Sequence, residues 1–172
     1  MDLSDAIQRL KPKPFEGRVH RIYDPEHGFL ETIGNYIVGG RWNRQGRYGA
    51  LYTSLSKATA VAEIRRGAEK RNRKPSELGR RDHVVMRIRL TRVLNLTQQN
   101  FCKSIDISLD ELFDNNTLCL DIADEVRKVG CEALRVPSAT KSGINLVIYQ
   151  DSVLPGWVFE EIDREENIIL FP

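Results

Sequence analysis

The chain has 172 residues, of which 41% are apolar and 29% charged, with a formal net charge of +2. That length suits one domain with a core of ordinary size, and the composition is that of a soluble globular protein. A charge so near zero gives no bulk indication of a nucleic-acid binder, and no apolar run approaches the roughly 20 residues of a membrane-spanning helix.

Residues 1–17 read as a lead-in helix and a proline-broken arm. They lack an apolar h-region and a cleavage pattern, so export is not expected. RVHRIY, Arg18 to Tyr23, alternates as a strand, with Val19, Arg21 and Tyr23 on one side and Arg18 with Ile22 on the other. DPEHG then signals a turn. GALYTSL, Gly49 to Leu55, reads as a second strand. Ser56 is an N-cap candidate for the helix KATAVAEIRRGAEKR, which must stop before Pro75. HVVMRIRL, His83 to Leu90, is the clearest strand, with Val84, Met86, Ile88 and Leu90 sharing a face. Ser108 and Glu111 match a capping box ahead of a short helix. In TLCLDIADEVRKVG, Leu118, Ile122, Val126 and Val129 form a helical stripe, and Gly130 suits the C′ position. CEALRVP, NLVIYQ, WVFEEI and IILF read as four further β segments. Many short strands with a few helices predict an α+β domain, without internal repeat or linker.

Cys102, Cys119 and Cys131 are scattered, with no CxxC and no Cys/His cluster. Neither a disulfide framework nor a zinc site is expected, and a reducing cytoplasm fits. Arg65, Arg66, Lys70, Arg71, Arg73, Lys74, Arg80 and Arg81 crowd one segment. This is either a solvated face or a docking surface for an acidic partner or nucleic acid.

Four positions have side chains suited to chemistry. Arg41 follows Gly39 and Gly40, which let backbone approach a ligand closely, and its guanidinium suits bidentate phosphate binding; Trp42 and Asn43 stand beside it as walls. The alternative is a glycine turn with a surface arginine. Tyr52 is either a core residue or a π-face for a flat heterocycle, with its hydroxyl available as a donor. Glu63 sits among small residues in ATAVAEI. It either pairs with Arg66 on the surface or offers a carboxylate to the oxocarbenium-like state of N-glycosidic cleavage. Ser138 lies past a strand end, in a loop with Thr140, Lys141, Ser142 and Asn145. It is either a Pro-Ser turn or a hydroxyl that binds a ligand amide or phosphate. His20, His27 and His83 are isolated in sequence, so a serine nucleophile is not indicated.

The order of these motifs resembles the RES domain family: an early strand arginine, GGRWN, ALYTSL, AE on a helix, then RVPSA and NLVIY. The resemblance covers roughly residues 18–155, within a single domain of 1–172. It implies an ADP-ribosyltransferase-like fold, a split, bent β core with helices around an NAD cleft. It also implies the toxin of a bacterial toxin–antitoxin pair that depletes NAD⁺ by hydrolysis or phosphorolysis of the nicotinamide–ribose bond. In the pattern so implied, Glu63 is the main catalytic carboxylate, and Arg21 and Arg41 bind the pyrophosphate and its neighbours. Tyr52 stacks on nicotinamide, Ser138 bonds the nearby ribose or amide, and Asn145 supports the loop. Arg18 competes with Arg21 for its role. The resemblance further implies a cytoplasmic protein, no cofactor beyond NAD⁺ as substrate, no metal, and an Xre-type helix-turn-helix antitoxin that covers the cleft, with oligomers forming in that complex. Direct nucleic-acid binding is not implied. Transfer of ADP-ribose to a protein is the alternative activity, and a non-catalytic binding module the third. The segment from Phe101 to Asn116 is not accounted for by the resemblance, and neither is the basic stretch 65–81.

Overall fold

The computed structural model describes residues 2–97, 99–114 and 116–171. Its elements in chain order are α1 (Leu3–Arg9), β1 (Lys13–Tyr23), α2 (Ile33–Val38), β2 (Leu51–Ser54), α3 (Lys57–Lys70), β3 (Asp82–Asn95), α4 (Gln99–Ser104), α5 (Leu109–Asp114), α6 (Asn116–Lys128), β4 (Ala133–Pro137), β5 (Ile144–Ile148) and β6 (Val158–Glu165). None of the helices among the described residues is long and apolar enough to cross a membrane.

The strand order is β1-β2-β5-β4-β3-β6, and β1 pairs with β3 as well. Five strands therefore close into a bent barrel, and β6 extends from β3. The alternation in β3 makes this possible. Val84, Met86, Ile88 and Leu90 are fully buried and turn inward with Val19, Leu51, Leu146 and Ile148. The opposite face of β2, β4 and β5 is covered by α1, α4, α5 and α6, whose Ile7, Phe101, Leu112, Ile122 and Val126 pack on Leu134, Val136 and Val147. Cys102, Cys119 and Cys131 lie free in this second layer.

The barrel is split at one seam. β1 and β2 share a single paired position, His20 with Ser54. β1 instead runs along β3 from Lys13 to Tyr23. The capping box appears as read: Ser108 N donates to Glu111 Oε2 at 2.6 Å and Glu111 N to Ser108 Oγ at 3.1 Å. Ser56 caps α3 by accepting from Thr59 N at 3.1 Å.

Two expectations are corrected. The arm before Arg18 is already strand: Lys13 faces Val93 and Phe15 faces Leu90, with a register shift between them at Pro14. Proline has no N–H to donate, and a bulge is where the ladder needs none. IILF is not a strand. Asn167 takes φ +49, which turns the chain away from the sheet after β6. Ile168, Leu170 and Phe171 then pack with Ala60, Ala68 and Leu78 along α3. α2 was not anticipated in the sequence; it buries none of its residues.

Candidate active site

A cavity of about 400 Å³ opens at the split between β1 and β2. Its walls come from His20, Arg21 and Ile22 of β1, from Tyr52 to Ser54 of β2, from Arg41 and Trp42, from α3, and from Ala139 and Asn145. That volume lies within the usual range for small-molecule sites.

Glu63 reaches this cavity from the first half of α3. Its Oε1 accepts from Ser138 Oγ at 2.6 Å, from Asn145 Nδ2 at 2.6 Å and from Ala139 N at 3.1 Å. No hydrogen bond or ion pair among the described residues engages Oε2, and the surface pair with Arg66 does not form. One oxygen is thus locked in place and the other left for a ligand. The lock is itself braced. Ser138 Oγ accepts from Thr140 N at 3.1 Å and lies 2.6 Å from Thr140 Oγ1. Asn145 Oδ1 accepts from Ser54 Oγ at 2.8 Å, which fixes which way the amide points. Ser138 is 0% exposed, so it acts on the cavity through Glu63 and the 139–140 backbone. Gly143 lets this loop close on α3: at φ +85, a Cβ there would lie 2.0 Å from Thr59 Oγ1.

Tyr52 lines the cavity, but its hydroxyl is already committed. It donates to Asn43 Oδ1 at 2.8 Å and accepts from Trp42 N at 2.9 Å. The expectation of a hydroxyl free to donate to a ligand is therefore corrected. Burial raises its pKa well above the usual tyrosine value. Asn43, fully buried, donates in turn to Asn35 O at 2.9 Å and Tyr48 O at 3.0 Å. Gly40 is required by this packing, because a Cβ there would meet Tyr52 Oη at 2.4 Å and Asn43 Oδ1 at 2.5 Å.

Of the two strand arginines, Arg21 lines the cavity and Arg18 is exposed. The guanidinium donates to Tyr52 O at 3.2 Å and Glu31 O at 2.9 Å. It thus caps the strand edge where β1 fails to continue pairing with β2. Its Nε is buried without a partner, and burial lowers its pKa to about 10. Both features leave the cation undercompensated and favour a nearby anion. Arg41 enters from the other side. It donates to Leu112 O and lies 5.9 Å from the ring centroids of Trp42 and Phe113, and its Nε is also unpartnered.

The basic segment divides. Arg80 pairs with Asp82 and Glu166, Arg81 with Asp24, and Arg65 donates to Leu170 O. Arg66 and Arg71 instead line the cavity, as does Asn35 of α2. The two arginines were legible in part, since Ala60, Glu63, Ile64, Gly67 and Arg71 fall along one side of a helix with Arg66 at its margin.

Residues 14–159 match the family model described as RES domain. No curated protein sequence matches the chain. A chain in the crystal structure of the M. tuberculosis MbcT–MbcA toxin–antitoxin complex is similar with a TM-score of 0.80, over 95% of this chain and 91% of that one, at 20% identity.

Proposed function

The chain belongs to the RES domain family and has its ADP-ribosyltransferase-like fold, and from that premise we propose that it is the toxin of a toxin–antitoxin pair that depletes NAD⁺. The observation that carries this reading is Glu63, held by three donors on Oε1 with Oε2 left to the cavity.

Cleavage breaks the C1′–N bond of the nicotinamide riboside. The bonding pair leaves with nicotinamide and neutralises its ring, so no strong general acid is needed. Positive charge develops on C1′ and the ring oxygen, where a fixed carboxylate stabilises it without reorganisation. An oxygen of water or of inorganic phosphate then bonds to C1′, water giving up its proton to solvent. Tyr52 supplies a flat face for nicotinamide, Arg21 and Arg41 supply positive charge for the diphosphate, and Ser138 and Asn145 hold the carboxylate. NAD⁺ is the substrate and no further cofactor is invoked; the site of action is the cytoplasm.

The partner in this reading is an Xre-type antitoxin seated over the cavity mouth, in an oligomeric complex. Ile33, Ile37 and Val38 of α2 are at least half exposed, beside the cavity residue Asn35, and an apolar edge of this kind suits a protein cover. The same edge suits a protein acceptor, which keeps ADP-ribosyl transfer as the second reading. The test is product analysis of purified protein with NAD⁺, with and without phosphate and with added cell lysate. Free ADP-ribose or its 1″-phosphate supports depletion, a labelled protein supports transfer, and intact NAD⁺ rejects both.

A further inference from the structure

Arg66 and Arg71 have no assigned role, yet both side chains line the cavity. Neither makes a hydrogen bond, ion pair or ring contact among the described residues. The other cavity arginines differ: Arg21 spends donors on Tyr52 O and Glu31 O, and Arg41 on Leu112 O. The Arg71 side chain lies against Gly67, with Nη2 3.7 Å from where a Cβ on that glycine would stand.

We infer that Arg66 and Arg71 form a phosphate-binding subsite, set along α3 from the carboxylate of Glu63. The inference rests on the NAD⁺-cleaving reading of the same cavity. Helical rise separates Arg66 from Glu63 by about 4.5 Å and Arg71 by about 12 Å along the axis. Two unspent guanidinium groups within one cavity repel each other unless an anion sits between them, and each offers a forked donor set matched to phosphate oxygens. Arg66 stands close enough to serve either the diphosphate of the dinucleotide or a free phosphate that attacks C1′. Arg71, whose guanidinium reaches back beside Gly67, offers its donors to the same anion.

The test is the double variant Arg66→Gln/Arg71→Gln, with kinetics on NAD⁺, nicotinamide mononucleotide and nicotinamide riboside at several phosphate concentrations. Inorganic pyrophosphate binding is measured by calorimetry alongside. A roughly tenfold or greater rise in KM for NAD⁺, larger than the rise for the riboside, identifies the diphosphate as the ligand. A comparable rise in KM for phosphate, with KM for NAD⁺ steady, identifies the acceptor. Calorimetry carries the subsite even if the wild type cleaves nothing: pyrophosphate binding weakened about tenfold in the variant supports it. Equal pyrophosphate affinity in both proteins overturns it, as does an equal loss on all three substrates.

Discussion

Ser138 and Glu63 stand 75 residues apart and meet hydroxyl to carboxylate at 2.6 Å. The contact joins the loop after β4 to the middle of α3, across the mouth of the split barrel. It makes the orientation of one carboxylate depend on the closure of two separate elements. Because Ala139 N and Asn145 Nδ2 address the same oxygen, Glu63 is fixed by geometry without an ion pair.

Glu63→Gln keeps the shape and lets an amide oxygen accept the same donors, while it removes the charge. NAD⁺ cleavage should fall by about 10²-fold or more, with the unfolding midpoint little changed. Nicotinamide release and thermal melts check this. Turnover close to wild type would remove Glu63 from the chemistry.

Ser138→Ala removes one of the three donors and leaves Thr140 N without its acceptor. Burial of that orphan should cost about 1–3 kcal/mol of stability. The kinetic signature of a positioning residue is a lower kcat at nearly constant KM. A rise in KM alone would instead mean that Ser138 binds substrate directly.

Tyr52→Phe and Tyr52→Ala separate the hydroxyl from the ring. The phenylalanine keeps the face but strands Asn43 Oδ1 and Trp42 N, so stability drops by about 1–3 kcal/mol while KM for NAD⁺ moves little. The alanine also loses the stacking face, and KM should rise clearly above that of the phenylalanine variant. Indistinguishable KM values would exclude the ring from substrate binding.

Legibility followed the range of the interactions. The β3 alternation, the Ser56 cap and the Ser108–Glu111 box are local, and each appears where the sequence placed it. Arg41, Tyr52, Glu63 and Asn145 all reach one cavity, but sequence spacing alone left each beside a structural alternative. What escaped was set by tertiary register. Pro14 joins β1 only because β3 is long enough to extend past it. The apolar run at residues 168–171 packs on α3 because Asn167 turns the chain. Asn35 acts as a surrogate strand partner, with Nδ2 donating to Ala50 O and Oδ1 accepting from Ala50 N; no local pattern announces such a role.

Gly40→Ala tests the packing behind Tyr52. The added methyl would stand 2.4 Å from Tyr52 Oη and 2.5 Å from Asn43 Oδ1, and Asn43 is fully buried and bonded to two carbonyls. Overpacking there should cost about 1–3 kcal/mol and displace the Tyr52 ring, so that stability and NAD⁺ affinity fall together. A variant with wild-type melting and wild-type KM would show that this corner gives way freely.

His20 Nδ1 and His83 Nε2 lie 3.0 Å apart in stacked rings. One nitrogen must donate and the other accept, so the pair tolerates at most one proton between them. Burial lowers both pKa values below 6.5, and His83, Lys57 and Arg18 add to the effect at His20. At His83, Lys57 acts in the same direction while Glu165 and Asp163 oppose it. With folded values below the unfolded value, the unfolded chain binds more protons in the interval between them. Stability is therefore full above the ordinary histidine range and is lost as pH falls through it. His20 also carries the single pairing of β1 with β2, so the loss should begin at the split. Urea midpoints taken from about pH 7.5 to about pH 5 should fall more steeply for the wild type than for His83→Gln, which can still bond His20 but cannot take up a proton. Parallel slopes in the two proteins would assign the acid sensitivity to other groups.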